Sequence, residues 1–214
     1  KNTHLMLALP NITLIVISGL NYQTKENIEA IKKSCDKIEF GAIKYIQDGK
    51  IDSISKWNYE VFYNLGDYVQ TEFALLIHSN GFVVNPECWK DEWLKYDYCG
   101  SPFPLPQDDY SYRDINGIIQ RVGNSVGLRS KKLMQLPKKL GLKWQKFHGW
   151  DNEDGAYSVN YRHIFEENGC KFMPFQEALY FGREHELPEN QHIDKTFVFH
   201  NYLGRNAMYT DRTL

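Results

Sequence analysis

The chain has 214 residues, with 25 Lys and Arg against 27 Asp and Glu, a formal net charge of −2, 42% hydrophobic and 24% charged residues. These figures suit one globular domain and exclude a disordered chain. The near-neutral charge leaves no global basic field for nucleic acid or anionic lipid. Aromatic residues reach 14%, enough for a large core or for a site that stacks on sugars or bases. The early apolar run Leu14 to Ile17 is far below the roughly 20 residues that span a bilayer, and no signal-peptide pattern is read. Cys35, Cys88, Cys99 and Cys170 form no CxxC pair and no zinc spacing. Reduced thiols and a cytoplasmic location are therefore expected.

In chain order, Ile12 to Ile17 is a β-branched run closed by Ser18-Gly19, predicting a buried parallel strand. Thr24 is placed to cap a helix whose apolar face carries Ile28, Ile31 and Cys35. Ile38 to Ile46 reads as a second strand ending at Gln47-Asp48-Gly49. Val61, Phe62 and Leu65 have helical spacing, with Gly66 as a stop. Phe73 to Ile77 is a third strand, ending in His78-Ser79-Asn80-Gly81, and Phe82 to Val84 resumes the strand pattern. This alternation predicts an α/β fold with a mostly parallel sheet. Ligands of such sheets sit beyond the carboxyl ends of the strands, which singles out Ser18, Asp48, His78, Ser79 and Asn80.

Further on, Gly100 to Pro106 reads as a rigid turn and Gln107 to Asn116 as an exposed loop. Val122 to Leu128 reads as a strand with close backbone approach at its glycines. Ser130 is placed to cap a helix reaching Pro137, and Ala156 to Asn168 reads as one helix closed by Gly169. Thr196 to Phe199 is a last strand, followed by His200.

Four segments carry chemistry. His78-Ser79-Asn80-Gly81 is either a polar turn or a holder of a divalent cation and a diphosphate. The acidic tract Asp151-Asn152-Glu153-Asp154 either satisfies a helix start or supplies a general base. His200 is a hydrogen-bonded surface histidine or a ligand for metal or phosphate. Arg121 to Ser130 has neither a GK[ST] ending nor GxGxxG spacing, which removes the main support for an ATPase or a dehydrogenase. Its glycines and Asn124 make either a packed strand or a floor under a sugar. There is no GxSxG elbow and no HExxH; His185 and His192 lie among Glu and Pro without helical spacing.

These segments, in this order, resemble a largely uncharacterised family of glycosyltransferases with the GT-A fold. The matching text is Leu9 to Leu14, Thr71 to Pro86 with Trp89, Tyr96-Asp97-Tyr98-Cys99-Gly100-Ser101-Pro102, Gly123-Asn124 with Leu128-Arg129-Ser130, and Glu153-Asp154. It runs from about residue 9 to His200. The resemblance implies a single GT-A-like domain over 1–214, with a Rossmann-like mixed, mostly parallel sheet flanked by helices. A nucleotide-sugar-binding half would cover about 1–104 and an acceptor half about 105–214.

By the same resemblance, the enzyme moves a sugar from a nucleoside-diphosphate sugar to a glycan or other hydroxyl-bearing acceptor. Mn²⁺ or Mg²⁺ would bridge the donor diphosphate. Ser18, Asp48, His78, Ser79, Asn80 and Asn124 would line the donor site, and Asn80, His78 and His200 would hold the metal. Asn80 stands where the family usually has Asp, which keeps one oxygen ligand and loses its charge. The tract ending in Glu153-Asp154, after Trp150, also resembles the Trp-Gly-x-Glu-Asp segment of inverting galactosyltransferases. That likeness makes Asp154 the base, while Glu153 orients the acceptor hydroxyl or supports Asp154. Trp150, Tyr98 and Phe103 are candidates to stack on a sugar, with core packing as the alternative for each. The competing reading is an impaired module that binds a nucleotide sugar or glycan. Nucleic acid is disfavoured; Lys131-Lys132 and Lys138-Lys139 read as a solvated helix face.

Overall fold

The computed structural model describes residues 6–20, 22–148 and 151–200. Its main sheet holds β1 (Leu7–Ser18), β2 (Ile38–Gln47), β3 (Phe73–Leu76), β4 (Tyr98–Pro102) and β5 (Val122–Ser130), in the spatial order β2-β1-β3-β5-β4. β1 pairs in parallel with β2 and β3, whereas β5 is antiparallel to both β3 and β4. Four strands thus share one direction and β5 alone runs against them. A small second sheet pairs β6 (Gly182–Arg183) in parallel with β7 (Val198–Phe199). The helices are α1 (Thr24–Cys35), α2 (Ile54–Asn64), α3 (Lys131–Lys139), the single turn α4 (Glu153–Gly155), α5 (Arg162–Glu167) and α6 (Phe175–Phe181). Among the described residues, no helix is long and apolar enough to cross a membrane.

The period of two along β1 explains how the sheet is covered. Leu14 and Val16 face a core shared with Ala30 of α1 and with Ala178 and Phe181 of α6. Ile15 and Ile17 face the opposite core, with Val61 of α2 and Met134 of α3. Both faces are sealed by helices, so β1 is an unbroken apolar run rather than an alternating one. The register of β1 on β2 shifts between Leu9 and Thr13. Gly41 sits at that irregularity, where an added Cβ would lie 2.0 Å from the Pro10 carbonyl oxygen.

Several local expectations need correction. Thr24 does not cap α1: the N-cap residue is Gln23, and the Thr24 hydroxyl accepts a hydrogen bond from Gln47 Nε2 at 2.8 Å. The buried face of α1 carries Asn27, Ala30 and Ser34, and Ile28 is 40% exposed. The small residues let the helix lie close to the sheet. Gly100 to Pro102 belongs to β4 and is not a turn. Phe82 to Val84 does not rebuild a strand; Val83 makes only an isolated bridge to Val198. The helix expected over Ala156 to Asn168 is split into a π-helical turn (Ala156–Asn160) and α5. Ser130 does cap α3, its hydroxyl accepting from Leu133 N–H at 3.1 Å.

Candidate functional site

Beyond β3 the chain makes a two-residue turn. His78 N–H donates to Gly81 O at 2.7 Å and Gly81 N–H donates to His78 O at 3.2 Å, leaving Ser79 and Asn80 at the tip. An added Cβ at Gly81 would lie 2.6 Å from Val126 Cγ2 and 2.9 Å from His200 Cδ2. Gly81→Ala is therefore expected to destabilise the protein by about 1–3 kcal/mol through overpacking, read as a lower Tm in thermal unfolding. An unchanged Tm would show that the turn and His200 move apart freely.

His78 Nε2 and Ser125 Oγ lie 2.6 Å apart. Its ring meets Trp57 edge-on at 5.1 Å and lies 5.3 Å from the His200 ring. Burial, then the charges of His200 and Arg129, hold His78 well below the usual histidine range. Ser79 Oγ donates to Gln23 Oε1. Ser18 and Asp48 serve their own turns: Ser18 Oγ donates to Tyr22 O at 3.1 Å, and Asp48 Oδ1 accepts from Lys50 N–H at 2.9 Å.

Asn124, near the start of β5, gathers the acidic side chains. Its φ of 87° is one that few residues other than glycine and asparagine adopt. Its N–H donates to Asp154 Oδ2 at 3.0 Å and its Nδ2 donates to Glu184 Oε2 at 2.5 Å. Its own Oδ1 accepts from Val126 N–H at 3.0 Å, and its carbonyl accepts from the Tyr98 hydroxyl at 3.0 Å. Tyr98 is buried in the core and so does not offer a stacking face. Phe103 is also buried, its ring 5.3 Å from Tyr112 and 6.0 Å from His185. Trp150 lies outside the described residues.

Glu153 turns away from the site. It is 0% exposed, and Arg129 Nη2 donates to its two oxygens at 2.9 and 2.7 Å. Its backbone N–H donates to Asn58 Oδ1 at 2.8 Å. Burial raises its carboxyl above the ordinary carboxylate range, against the pull of Arg129. A side chain sealed in this way cannot orient an acceptor hydroxyl. Its contacts to Arg129 and Asn58 fix the start of α4, next to Asp154.

Sequence reasoning passed over Glu184. It follows β6 directly, and the signal available was a run of four ionisable residues, Arg183-Glu184-His185-Glu186, after a short apolar segment. Burial and the Asp154 charge push Glu184 up to about 7, against the hydrogen bond from Asn124. His200 Nδ1 lies 3.6 Å from Glu184 Oε1, and His185 Nε2 lies 3.6 Å from Glu184 Oε2. His200 Nδ1 is buried and has no hydrogen-bond partner among the described residues. Burial, then the charge of His185, pushes His200 down to about 4.

The raised Glu184 carboxyl has a consequence for stability. The folded protein holds a proton between the ordinary carboxylate value and about 7 that the unfolded chain has released. That contribution is complete below the unfolded value and is lost as pH rises toward 7. The stability of Glu184→Gln relative to the parent should therefore climb by about 1–3 kcal/mol between pH 4.5 and 7.5, measured by urea unfolding. A flat difference across that window would contradict it.

A metal that bridges a diphosphate needs hard, preferably anionic oxygen ligands. Asn80, His78 and His200 offer one amide oxygen and two imidazoles, and His78 Nε2 is already turned to Ser125. Among the described residues, no group of three or more His, Cys, Asp or Glu converges to hold a metal ion. As protein ligands these three side chains do not fit Mn²⁺ or Mg²⁺.

A mixed sheet with one reversed strand, flanked by helices and carrying its polar cluster at the strand ends, defines a GT-A-like α/β protein. The chain belongs to the family described as "Protein of unknown function (DUF5672)", whose model matches residues 43–200. Two solved structures share the architecture. One is a glycosyltransferase involved in the glycosylation of the major capsid of PBCV-1, with 12% identity and a TM-score of 0.57, covering 94% of this chain and 97% of that one. The other is the galactosyltransferase LgtC in complex with donor and acceptor sugar analogs, with 13% identity and a TM-score of 0.51, covering 90% of this chain and 87% of that one. At these identities the likeness concerns the fold. No curated protein matches the sequence significantly.

Proposed function

We propose that the chain is a glycosyltransferase that moves a sugar from a nucleoside-diphosphate sugar to a hydroxyl of a glycan or similar acceptor, with inversion. The observation that carries this reading is Asp154, held by the Asn124 N–H at 3.0 Å beside the strand ends. In GT-A-like folds that edge receives the donor. The acceptor oxygen attacks the anomeric carbon while the bond from that carbon to the diphosphate oxygen breaks. The acceptor proton passes to Asp154, whose Oδ2 is fixed by Asn124, leaving Oδ1 to receive it. The nucleoside diphosphate leaves from the side of the His78–Gly81 turn. Residues up to about 104 carry most of the donor side and those beyond it most of the acceptor side, with Asn124 at the junction of the two.

Asn80 favours a second reading, a module that binds a nucleotide sugar without turning it over. Calorimetric titration of nucleoside diphosphates and nucleotide sugars, with and without Mn²⁺, tests both. Binding of one nucleotide sugar together with transfer or slow hydrolysis supports the enzyme; binding without turnover supports the module; no binding overturns both. Asn80→Asp should add the missing charge and tighten Mn²⁺ binding at least tenfold, measured in the same titrations. Equal affinity in the two proteins would remove Asn80 from any metal role.

A further inference from the structure

The polar groups of the site form a chain. Asp154 is tied to Asn124, Asn124 to Glu184, Glu184 faces His200, and His200 lies beside His78. In a displacement reaction the transferred sugar lies between the base and the leaving group. Glu184 occupies that interval, between Asp154 on one side and the His78 turn on the other.

Glu184 is incompletely served there. Its contacts to His200 Nδ1 and His185 Nε2 are both 3.6 Å, too long for direct hydrogen bonds. A hydroxyl group suits the gap, because one hydroxyl can donate to the carboxylate and accept from an imidazole N–H. A water meets the same need, and a sugar hydroxyl placed there displaces it without loss. The Glu184 side chain is 23% exposed, so a ligand can reach it. Beside it, Tyr112, 37% exposed, packs on Phe103 and offers an aromatic wall for the carbon face of a pyranose.

We propose that Glu184, with His200 and His185, reads a hydroxyl of the transferred sugar and so sets which nucleotide sugar the chain accepts. This inference rests on the transferase reading. A half-enclosed acceptor left without its hydroxyl keeps an unmet hydrogen bond against the wrong ligand, which is how such a residue discriminates.

Titration calorimetry on the full chain tests it. The probes are UDP and GDP, UDP-glucose, UDP-galactose and GDP-mannose, and monodeoxy analogues of the sugar that binds best. In the unmodified protein, loss of one hydroxyl is expected to weaken binding tenfold or more. Glu184→Gln is expected to weaken the parent nucleotide sugar about five- to tenfold, to leave the bare diphosphate alone, and to abolish the penalty for that one deoxy position. If every deoxy analogue binds as its parent does, the inference falls, and this arm needs no variant to fold. It also falls if Glu184→Gln changes sugar and bare diphosphate by the same factor, while the transferase reading stands. If neither diphosphates nor nucleotide sugars bind the unmodified chain, the transferase reading falls and takes this inference with it.

Discussion

Asp154→Asn is expected to lower sugar transfer by about 10²- to 10⁴-fold, the range lost with a positioned general base. The substituted amide keeps an oxygen for the Asn124 N–H, so the local backbone is retained and the effect falls on proton transfer. The measurement is kcat with the donor saturating. A variant within threefold of the parent would move the base elsewhere, and first to Glu184, which shares Asn124 with Asp154.

The second large effect concerns stability. Arg129 and Glu153 form a fully buried pair, with side chains 0% and 1% exposed. Arg129 also lies over the Tyr98 and Tyr157 rings, at 5.2 and 5.8 Å from their centroids. Arg129→Met strands the Glu153 carboxyl in the core, and breaking a buried pair on one side costs about 3–5 kcal/mol. For a chain of this size that lowers Tm by about 10 °C. Replacing both partners, Arg129→Met with Glu153→Leu, should recover most of the loss, because no lone charge remains. If the double variant is as unstable as the single one, the pair matters through hydrogen bonds and packing rather than through charge.

The strands were readable where burial on both faces left an apolar run, as at Ile12 to Ile17 and Phe73 to Ile77. They were unreadable where pairing came from distant residues. Gly100-Ser101-Pro102 has the composition of a turn, and it becomes β4 because β5 offers it a partner. The same limit applies to the site. Asp154 and Asn124 stand out locally, but Glu184 joins them only through the fold, because Asn124, 30 positions from Asp154 and 60 from Glu184, binds both carboxylates. Glu153 shows the converse: it looks like a second reactive carboxylate next to Asp154, and a buried arginine from β5 explains it instead.

The position of β5 bears on how the chain comes together. β5 separates β3 from β4, although β4 precedes it in sequence. During synthesis β1, β2 and β3 can assemble by local crossovers. β4 has no sheet neighbour until residues 122–130 have emerged to lie between it and β3. Until then β3 presents an open apolar edge, the kind of strand that pairs with other chains. The division proposed near residue 104 is therefore not a folding boundary: cut there, the first piece would keep an unpaired edge and a stranded β4. Long-range closure of this kind is slow, and it ties completion of the sheet to arrival of the strand that carries Asn124 and Arg129.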